Sequence, residues 1–431
     1  LRVLVLGAYG LIGLEVARRL AASGHDVVGL ARKPGTGRRL LPQIRWRSAE
    51  LALLTCPEAW TEAVRDIDVV VNASGALQRG SRDDLVATQQ HAIVALIAAC
   101  EARGVKRFVQ ISAPGATEKS STEFMRTKAA ADAALARSTL DWIVLRPGLV
   151  IARNAYGGTA MLRALAAFPL LQPIVLGDRL VQTVALTDVV DIVADACTGR
   201  LPSRSDLDLV EAQPHALRDI VRDLRAWFGF RPAYPLAVPS WIAWALATVG
   251  DGLGYLGWRP PLRSTSLQAL AENIVGDPQG IRAVTGRNLA TFGETLASMP
   301  ATLQERWFAR LYLALPAAVA TLAAFWALTG VIALLRLEAA AAVIAGSAMA
   351  AGTAEALVLA GGLVDIALGS AIVYRPSARG ACLGMIATTG VYWLAGTLLR
   401  PDLWIDPLGP LLKSLPALLL AGLTWILLEE R

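Results

Sequence analysis

Three glycines at a spacing of three, Gly7, Gly10 and Gly13, stand between two different patterns and leave the chain few ways to fold there. Before them, five of the first six residues are apolar and two are valines, as in a strand buried on both faces of a parallel sheet. After them, Leu14-Glu-Val-Ala-Arg-Arg-Leu20 has a helical pattern. A glycine turn between strand and helix leaves backbone N–H groups converging on one point, with the positive end of the helix dipole behind them. A pyrophosphate suits that point. Gly7 permits the tight turn, Gly10 lets the backbone approach a ligand, and Gly13 lets the helix pack close to the strand.

The whole turn, Gly7, Ala8, Tyr9, Gly10, Leu11, Ile12 and Gly13, is therefore expected to cradle a nicotinamide dinucleotide. Ser23-Gly24 then reads as a turn and His25-Asp-Val-Val-Gly-Leu-Ala31 as a second strand. An NAD-preferring fold usually ends this strand with an acid that holds the ribose 2′-hydroxyl. Here Arg32 and Lys33 stand at that place, two cations that suit a 2′-phosphate, so NADP(H) is favoured over NAD(H). A solvated basic loop would look the same.

Ile44-Arg-Trp-Arg47 reads as a third strand, with Ala49-Glu50-Leu51 where an adenine edge would lie. Asp68-Val-Val-Val-Asn-Ala-Ser-Gly75 is a fourth, ending in Asn72, Ala73, Ser74 and Gly75, and such small residues leave room for a ligand at the sheet edge. Gln89 to Arg103 reads as a helix and Arg107-Phe-Val-Gln-Ile-Ser112 as a fifth strand. The alternation implies a doubly wound α/β Rossmann fold, a parallel sheet with its ligand at the strands' C-terminal ends.

In this order, Gly7-Ala-Tyr-Gly-Leu-Ile-Gly13, Asn72-Ala-Ser-Gly75, Ser112, Lys128 and Leu145-Arg-Pro-Gly148 resemble the atypical branch of the short-chain dehydrogenase/reductases. That branch includes NmrA-like proteins and the nucleotide-binding accessory subunit of respiratory complex I. Val181-Gln-Thr-Val-Ala-Leu-Thr-Asp188 resembles the strand and acid that lead into the substrate lobe of the extended members. The likeness covers residues 1–230 and implies an NAD(P)-binding domain with a small substrate lobe. It also implies a catalytic Ser and Lys at Ser112 and Lys128, with Lys128 on the nicotinamide ribose. The family's general acid/base, a Tyr four residues before that Lys, is replaced by Phe124. A phenyl ring carries no proton. Thr122 and Tyr156 are the nearest conceivable substitutes, and hydride transfer to an acceptor that takes its proton from water, such as a quinone, needs none.

Of the chain's 431 residues, 55% are hydrophobic, and the excess is concentrated. Between Leu311 and Leu428 only ten residues are charged, which reads as a membrane domain fused to a soluble one. Leu311–Leu335, about Glu355 to Tyr374, Ala381–Leu399 and about Leu411 to Leu428 are the expected spans. A shorter Ala-rich helix runs from Ala339 to about Thr353. This predicts an all-α four-helix transmembrane domain over 307–431. Phe325-Trp-Ala-Leu-Thr-Gly330, Val364-Asp-Ile-Ala-Leu-Gly369 and Asp406-Pro-Leu-Gly-Pro-Leu-Leu-Lys413 resemble the DoxX-like family, a likeness over 310–431 that implies quinone-linked redox chemistry. Asp365 within a span is costly and so a functional candidate, or else a buried hydrogen bond to Lys413 or a Ser/Thr. Gly380 and Gly384, with Gly361-Gly362, would let helices approach closely.

Between these parts, residues 231–306 are punctuated by Pro and Gly and read as a helical connecting region. Pro239 to Trp258 carries Trp241, Trp244, Tyr255 and Trp258, with Arg259 and Arg263 beside it. An interfacial or substrate-lobe helix fits this better than a span, since Asp251 and three glycines occupy its second half. Thr291 to Ala309 resembles an amphipathic run toward the membrane. Arg306, Arg310, Arg375 and Arg379 then face Arg336, Arg400 and Lys413 across the bilayer. That bias places the Rossmann domain in the cytoplasm of a multi-pass inner-membrane protein. The apolar N-terminus lacks the basic region and cleavage site of a signal peptide.

The net charge of +6, without a basic stretch interleaved with aromatics, argues against nucleic acid. Four scattered cysteines and three scattered histidines argue against a metal. The expected function is a membrane-tethered NAD(P)(H)-binding oxidoreductase acting on a lipophilic acceptor, a quinone or an isoprenoid-like carbonyl. The alternative is a nucleotide sensor or assembly factor without turnover, partnered in a membrane complex; a nucleotide-gated transporter would rest on Asp365 alone.

Overall fold

The computed structural model describes residues 1–75, 84–345 and 349–428. Contacts divide the chain into two units, Leu1–Gly254 with Pro260–Ala309, and Tyr255–Arg259 with Arg310–Arg431. Nearly all of the stretch 231–306 therefore counts with the first unit. The reason is packing: Ile281 and Leu289 enter the sheet core, and Phe292 and Leu296 enter a second core with Leu224 and Phe228.

The first unit is built on β1 (Arg2–Leu6), β2 (Asp26–Ala31), β3 (Arg45–Ser48), β4 (Val69–Asn72), β5 (Arg107–Ile111), β6 (Asp141–Pro147) and the edge strand Ser205–Leu209. They form one parallel seven-stranded sheet in the order Ser205–Leu209, β6, β5, β4, β1, β2, β3. Side chains alternate across it. Val3, Val5, Val71, Val109 and Leu145 pack on one face with Val16 and Leu20 of helix α1 (Leu11–Ala22) and Val193 of the helix Leu186–Cys197. Leu4, Leu6, Val70, Phe108 and Val144 pack on the other, against Leu96 of the helix Ala92–Arg103 and Leu135 of the helix Glu123–Arg137. Both faces are covered, as continuous apolar strands require. The chain order reverses at β1, which lies between β2 and β4, and a ligand of such a sheet sits outside the strand ends at that reversal.

A lobe with its own core follows, formed by Ile151, Ile174, Val181, Ile220, Leu224 and Phe228. Pro239 to Trp258 becomes the helix Ser240–Tyr255, short of the about 20 residues a span needs.

The second unit is helical. Leu303–Leu335, Ala351–Ala371 and Arg375–Leu399 are long and apolar enough to cross a bilayer. The fourth expected span is the apolar segment Leu412–Leu427, shorter than a bilayer core needs, and a 3-10 turn, Leu412–Ser414, forms its first residues. The Ala-rich stretch forms the helix Leu337–Ala345, and residues 346–348 of that expected helix lie outside the described ones. Small residues set the closest helix approach: a Cβ at Gly330 would lie 2.5 Å from Gly362 O, and one at Gly369 2.6 Å from Ala327 N. At Gly384 it would meet Leu368 at 2.6 Å, whereas Gly380 faces open space. Asp365 accepts a hydrogen bond from the Tyr392 hydroxyl at 2.7 Å, because Tyr392 on Arg375–Leu399 is the polar group its neighbouring helix presents.

Candidate functional site

The turn after β1 is shaped by contacts no larger residue could make. Gly7 has φ +70°, and a Cβ there would lie 2.7 Å from Ala73 O. One at Gly13 would lie 2.3 Å from Gly7 O. The turn closes through Gly10 N, which donates to Gly7 O at 2.8 Å. Gly10 caps α1 without a side-chain hydrogen bond, and no acid stands in the first turn. The amide end of α1 is thus shaped to take an anion. Ala8 is buried, while Tyr9 and Ile12 pack partly against the sheet core.

The end of β4 meets this turn. Asn72 is buried; its amide donates to Gln110 Oε1 at 2.8 Å, and its Oδ1 accepts from Ser74 N at 3.1 Å and from the Ser74 hydroxyl. The bend from Ala73 to Gly75 is therefore fixed from within. Lys128, on the helix Glu123–Arg137, reaches under it. Its Nζ donates to Ile111 O at 2.7 Å and to Ser74 O at 3.1 Å, and lies 3.4 Å from where a Gly75 Cβ would stand. Burial lowers the Lys128 pKa to about 8, and the Asp132 carboxyl works against that shift. Arg32 and Lys33 follow β2 directly, at the same end of the sheet.

Gly7, Gly13, Ala73, Ser74, Gly75 and Lys128 are thus brought together. Ser112 ends β5 beside them, but its hydroxyl donates to Asp132 Oδ2. Asp132 also pairs with Arg146 at 3.0 Å, and Arg146 holds Asp206 with bonds of 2.6 and 2.9 Å. Burial raises the Asp132 pKa against the opposing influence of Arg146, the Ser112 hydrogen bond and Lys128. Its other oxygen, Oδ1, is buried without a partner among the described residues. Sequence reasoning missed Asp132, although its spacing of four from Lys128 places both on one helix face.

Other candidates are committed elsewhere. Thr122 caps the helix Glu123–Arg137, accepting from Met125 N at 3.4 Å. Tyr156 caps the helix Gly157–Ala166 and is exposed. Asp188 holds a loop, accepting from Ala290 N at 2.9 Å and from Arg287 at 3.3 Å. Phe124 is half-buried, and the ionisable side chains gathered at the ends of β4 and β5 are Lys128 and Asp132, the latter bonded to the Ser112 hydroxyl.

A seven-stranded doubly wound sheet with a glycine cradle at its reversal is the arrangement of a dinucleotide-binding Rossmann fold. Residues 7–165 match the NAD(P)H-binding family model, and residues 323–422 match the DoxX-like family. The chain thus joins a segment similar to NAD(P)H-binding domains to a segment similar to the DoxX-like family. Among curated proteins it is 31% identical over 149 residues to the photosystem II assembly factor Ycf39 of Synechocystis, covering 34% of this chain and 44% of that one. The chain thus spans less than half of that relative's length. It is 29% identical over 163 residues to the UPF0659 protein YMR090W of Saccharomyces cerevisiae, 34% of this chain and 69% of that protein. Among solved structures, Bordetella bronchiseptica WbmG in complex with NAD superposes with a TM-score of 0.53 at 16% identity, over 70% of this chain and 93% of its own. Thermus thermophilus UDP-glucose 4-epimerase, also with NAD, gives 0.51 at 20% identity, over 69% and 96%. At these identities the structures speak to the fold.

Proposed function

We propose that the protein is a membrane-tethered NADP(H)-dependent oxidoreductase whose acceptor is lipophilic, a quinone or an isoprenoid-like carbonyl. The observation that carries this reading is the buried Lys128 ammonium set beside the glycine cradle on a chain that also carries a DoxX-like domain. In this reading the amide end of α1 holds the pyrophosphate, Asn72 to Gly75 border the nicotinamide half, and Lys128 holds the ribose. Bound there, the dinucleotide supplies or accepts a hydride. Ser112 and Asp132 take over the proton work that Phe124 cannot do: Asp132, whose pKa burial raises, enters protonated, passes its proton to Ser112 Oγ as Ser112 gives its own to the acceptor oxygen, and then takes a proton from water. Fusion to apolar helices supports a substrate dissolved in the bilayer.

Purified in detergent, the protein is expected to oxidise NADPH when given short-chain quinones. Asp132→Asn should cut turnover of a carbonyl acceptor about a hundredfold and that of a quinone, which takes its proton from water, much less, while leaving nucleotide affinity intact. No turnover across a broad acceptor panel, with tight nucleotide binding, would overturn the enzyme reading. It would favour the second one, a nucleotide-binding assembly factor or sensor, which Phe124 and the likeness to an assembly factor support.

Arg32 and Lys33 are proposed to receive the 2′-phosphate. Replacing both by Ser should weaken NADPH binding about tenfold or more, the loss of charge-assisted hydrogen bonds, and leave NADH binding nearly unchanged. Titration of both nucleotides checks this; an equal loss for the two would remove these residues from the discrimination.

A further inference from the structure

The helix Ser240–Tyr255 is packed inside out. A helix on a water-soluble surface buries its large apolar residues and shows water its polar ones. Here the buried positions are Ala243, Ala247, Gly250 and Gly254. A Cβ at Gly250 would lie 2.3 Å from Leu262 O, and one at Gly254 2.8 Å from the Arg263 guanidinium, so this face is pressed against the following segment. The outward face carries Trp241, Trp244, Leu246, Val249 and Tyr255, with Trp241 70% and Val249 62% exposed.

That outward face also lacks charge. Asp251 is the helix's only ionisable side chain apart from Tyr255, and it is turned to Arg263 Nε at 2.9 Å and to the Ser264 hydroxyl. Thr248 returns its hydroxyl to Trp244 O at 2.9 Å. The strand just before the helix, Tyr234–Ala237, is exposed along its length and pairs with Leu171–Ile174. Leu170, beside it, holds φ +63° and is 81% exposed, an apolar side chain offered outward from a costly backbone conformation.

Continuity identifies the occupant. The helix ends in Tyr255–Arg259, which belongs to the helical unit. There Trp258 Nε1 donates to Val373 O at 2.6 Å, Leu256 O accepts from Arg375 N at 3.0 Å, and the Arg375 guanidinium lies 5.5 Å from the Trp258 ring. These contacts lie within the helical unit and seat the segment that follows the helix against the start of Arg375–Leu399. Tryptophan and tyrosine on an uncharged face, in a helix continuous in sequence with a segment of the helical unit, are the composition of a bilayer interface.

We propose that the outward face of Ser240–Tyr255, with the Leu170 and Tyr234–Ala237 edge, is a lipid-binding surface by which the nucleotide-binding unit lies on the bilayer. It stands whether or not the protein turns over. The test uses the full chain in phospholipid nanodiscs, with Cys56, the one exposed thiol among the cysteines, changed to Ser. Nitroxide labels are placed singly at Val249→Cys and Trp241→Cys, and at Arg222→Cys on the helix Leu217–Trp227 as the water-facing control. Labels at 249 and 241 are expected to collide freely with oxygen and little with a water-soluble nickel chelate, the reverse of the ratio at 222. Nickel access equal to that at 222 overturns the proposal by placing the face in water. Shielding from both reagents overturns it by placing a second copy or a partner protein there.

Discussion

Gly13→Ala is expected to abolish nucleotide binding, weakening it about a hundredfold or more, roughly 2.7 kcal/mol. The argument is steric. The new methyl would stand 2.3 Å from Gly7 O and 3.2 Å from Ala8 Cα, and both are backbone, so neither can swing aside. Either α1 lifts from β1 or the turn opens; in both cases the amide groups no longer converge. Overpacking of this kind costs about 2 kcal/mol of stability as well. The control is Gly24→Ala. Gly24 has a positive φ, +80°, unlike Gly13, and its Cβ would meet nothing within 4 Å. It should lose about 1 kcal/mol by backbone strain and keep its nucleotide affinity. Isothermal titration with NADPH, beside thermal unfolding, separates the two effects. Wild-type affinity in Gly13→Ala would show that the cradle is not where the nucleotide binds.

The fold was legible because its signals are local. Five apolar residues, three glycines and a helical period lie within twenty residues, and each has one structural use. The membrane segments were legible from charge depletion, but their lengths were not. Whether Leu411 to Leu428 makes one long helix depends on how the chain turns at Leu412–Ser414, and composition is silent on that. The middle stretch shows a related limit. Proline and glycine mark breaks, yet the tertiary cores that recruit Ile281, Phe292 and Leu296 assign the broken pieces to the first unit.

The site divided along the same line. Gly7, Gly13 and Asn72 to Gly75 announce themselves by residue type and position. Asp132 does not, since an acid on a helix looks like a solvated surface charge until Ser112 and Arg146 arrive from β5 and β6, 20 and 14 residues away. The inverted helix at 240–255 was visible as an odd composition. Only the structure shows that its small residues face inward and its tryptophans outward.

Lys128→Met is the second large effect expected. Methionine nearly fills the same space, so the cavity term is small, but it cannot donate to Ser74 O and Ile111 O. Leaving two buried carbonyls without this donor costs about 1–3 kcal/mol and loosens the bend from Asn72 to Gly75. Loss of the ammonium should weaken nucleotide binding about tenfold or more. The pH dependence distinguishes the charge from the packing. In the wild type, Lys128 loses its proton as pH rises through about 8, so affinity for the anionic nucleotide should fall between pH 7 and 9. Stability of the nucleotide-free protein should move the other way. The folded pKa is depressed from the ordinary lysine value of 10.5, so between about 8 and 10.5 the unfolded chain holds the extra proton and this group's contribution rises with pH. Lys128→Met should flatten both trends. An affinity profile unchanged by the substitution would mean that the ammonium supports the Ser74 and Ile111 carbonyls without touching the nucleotide.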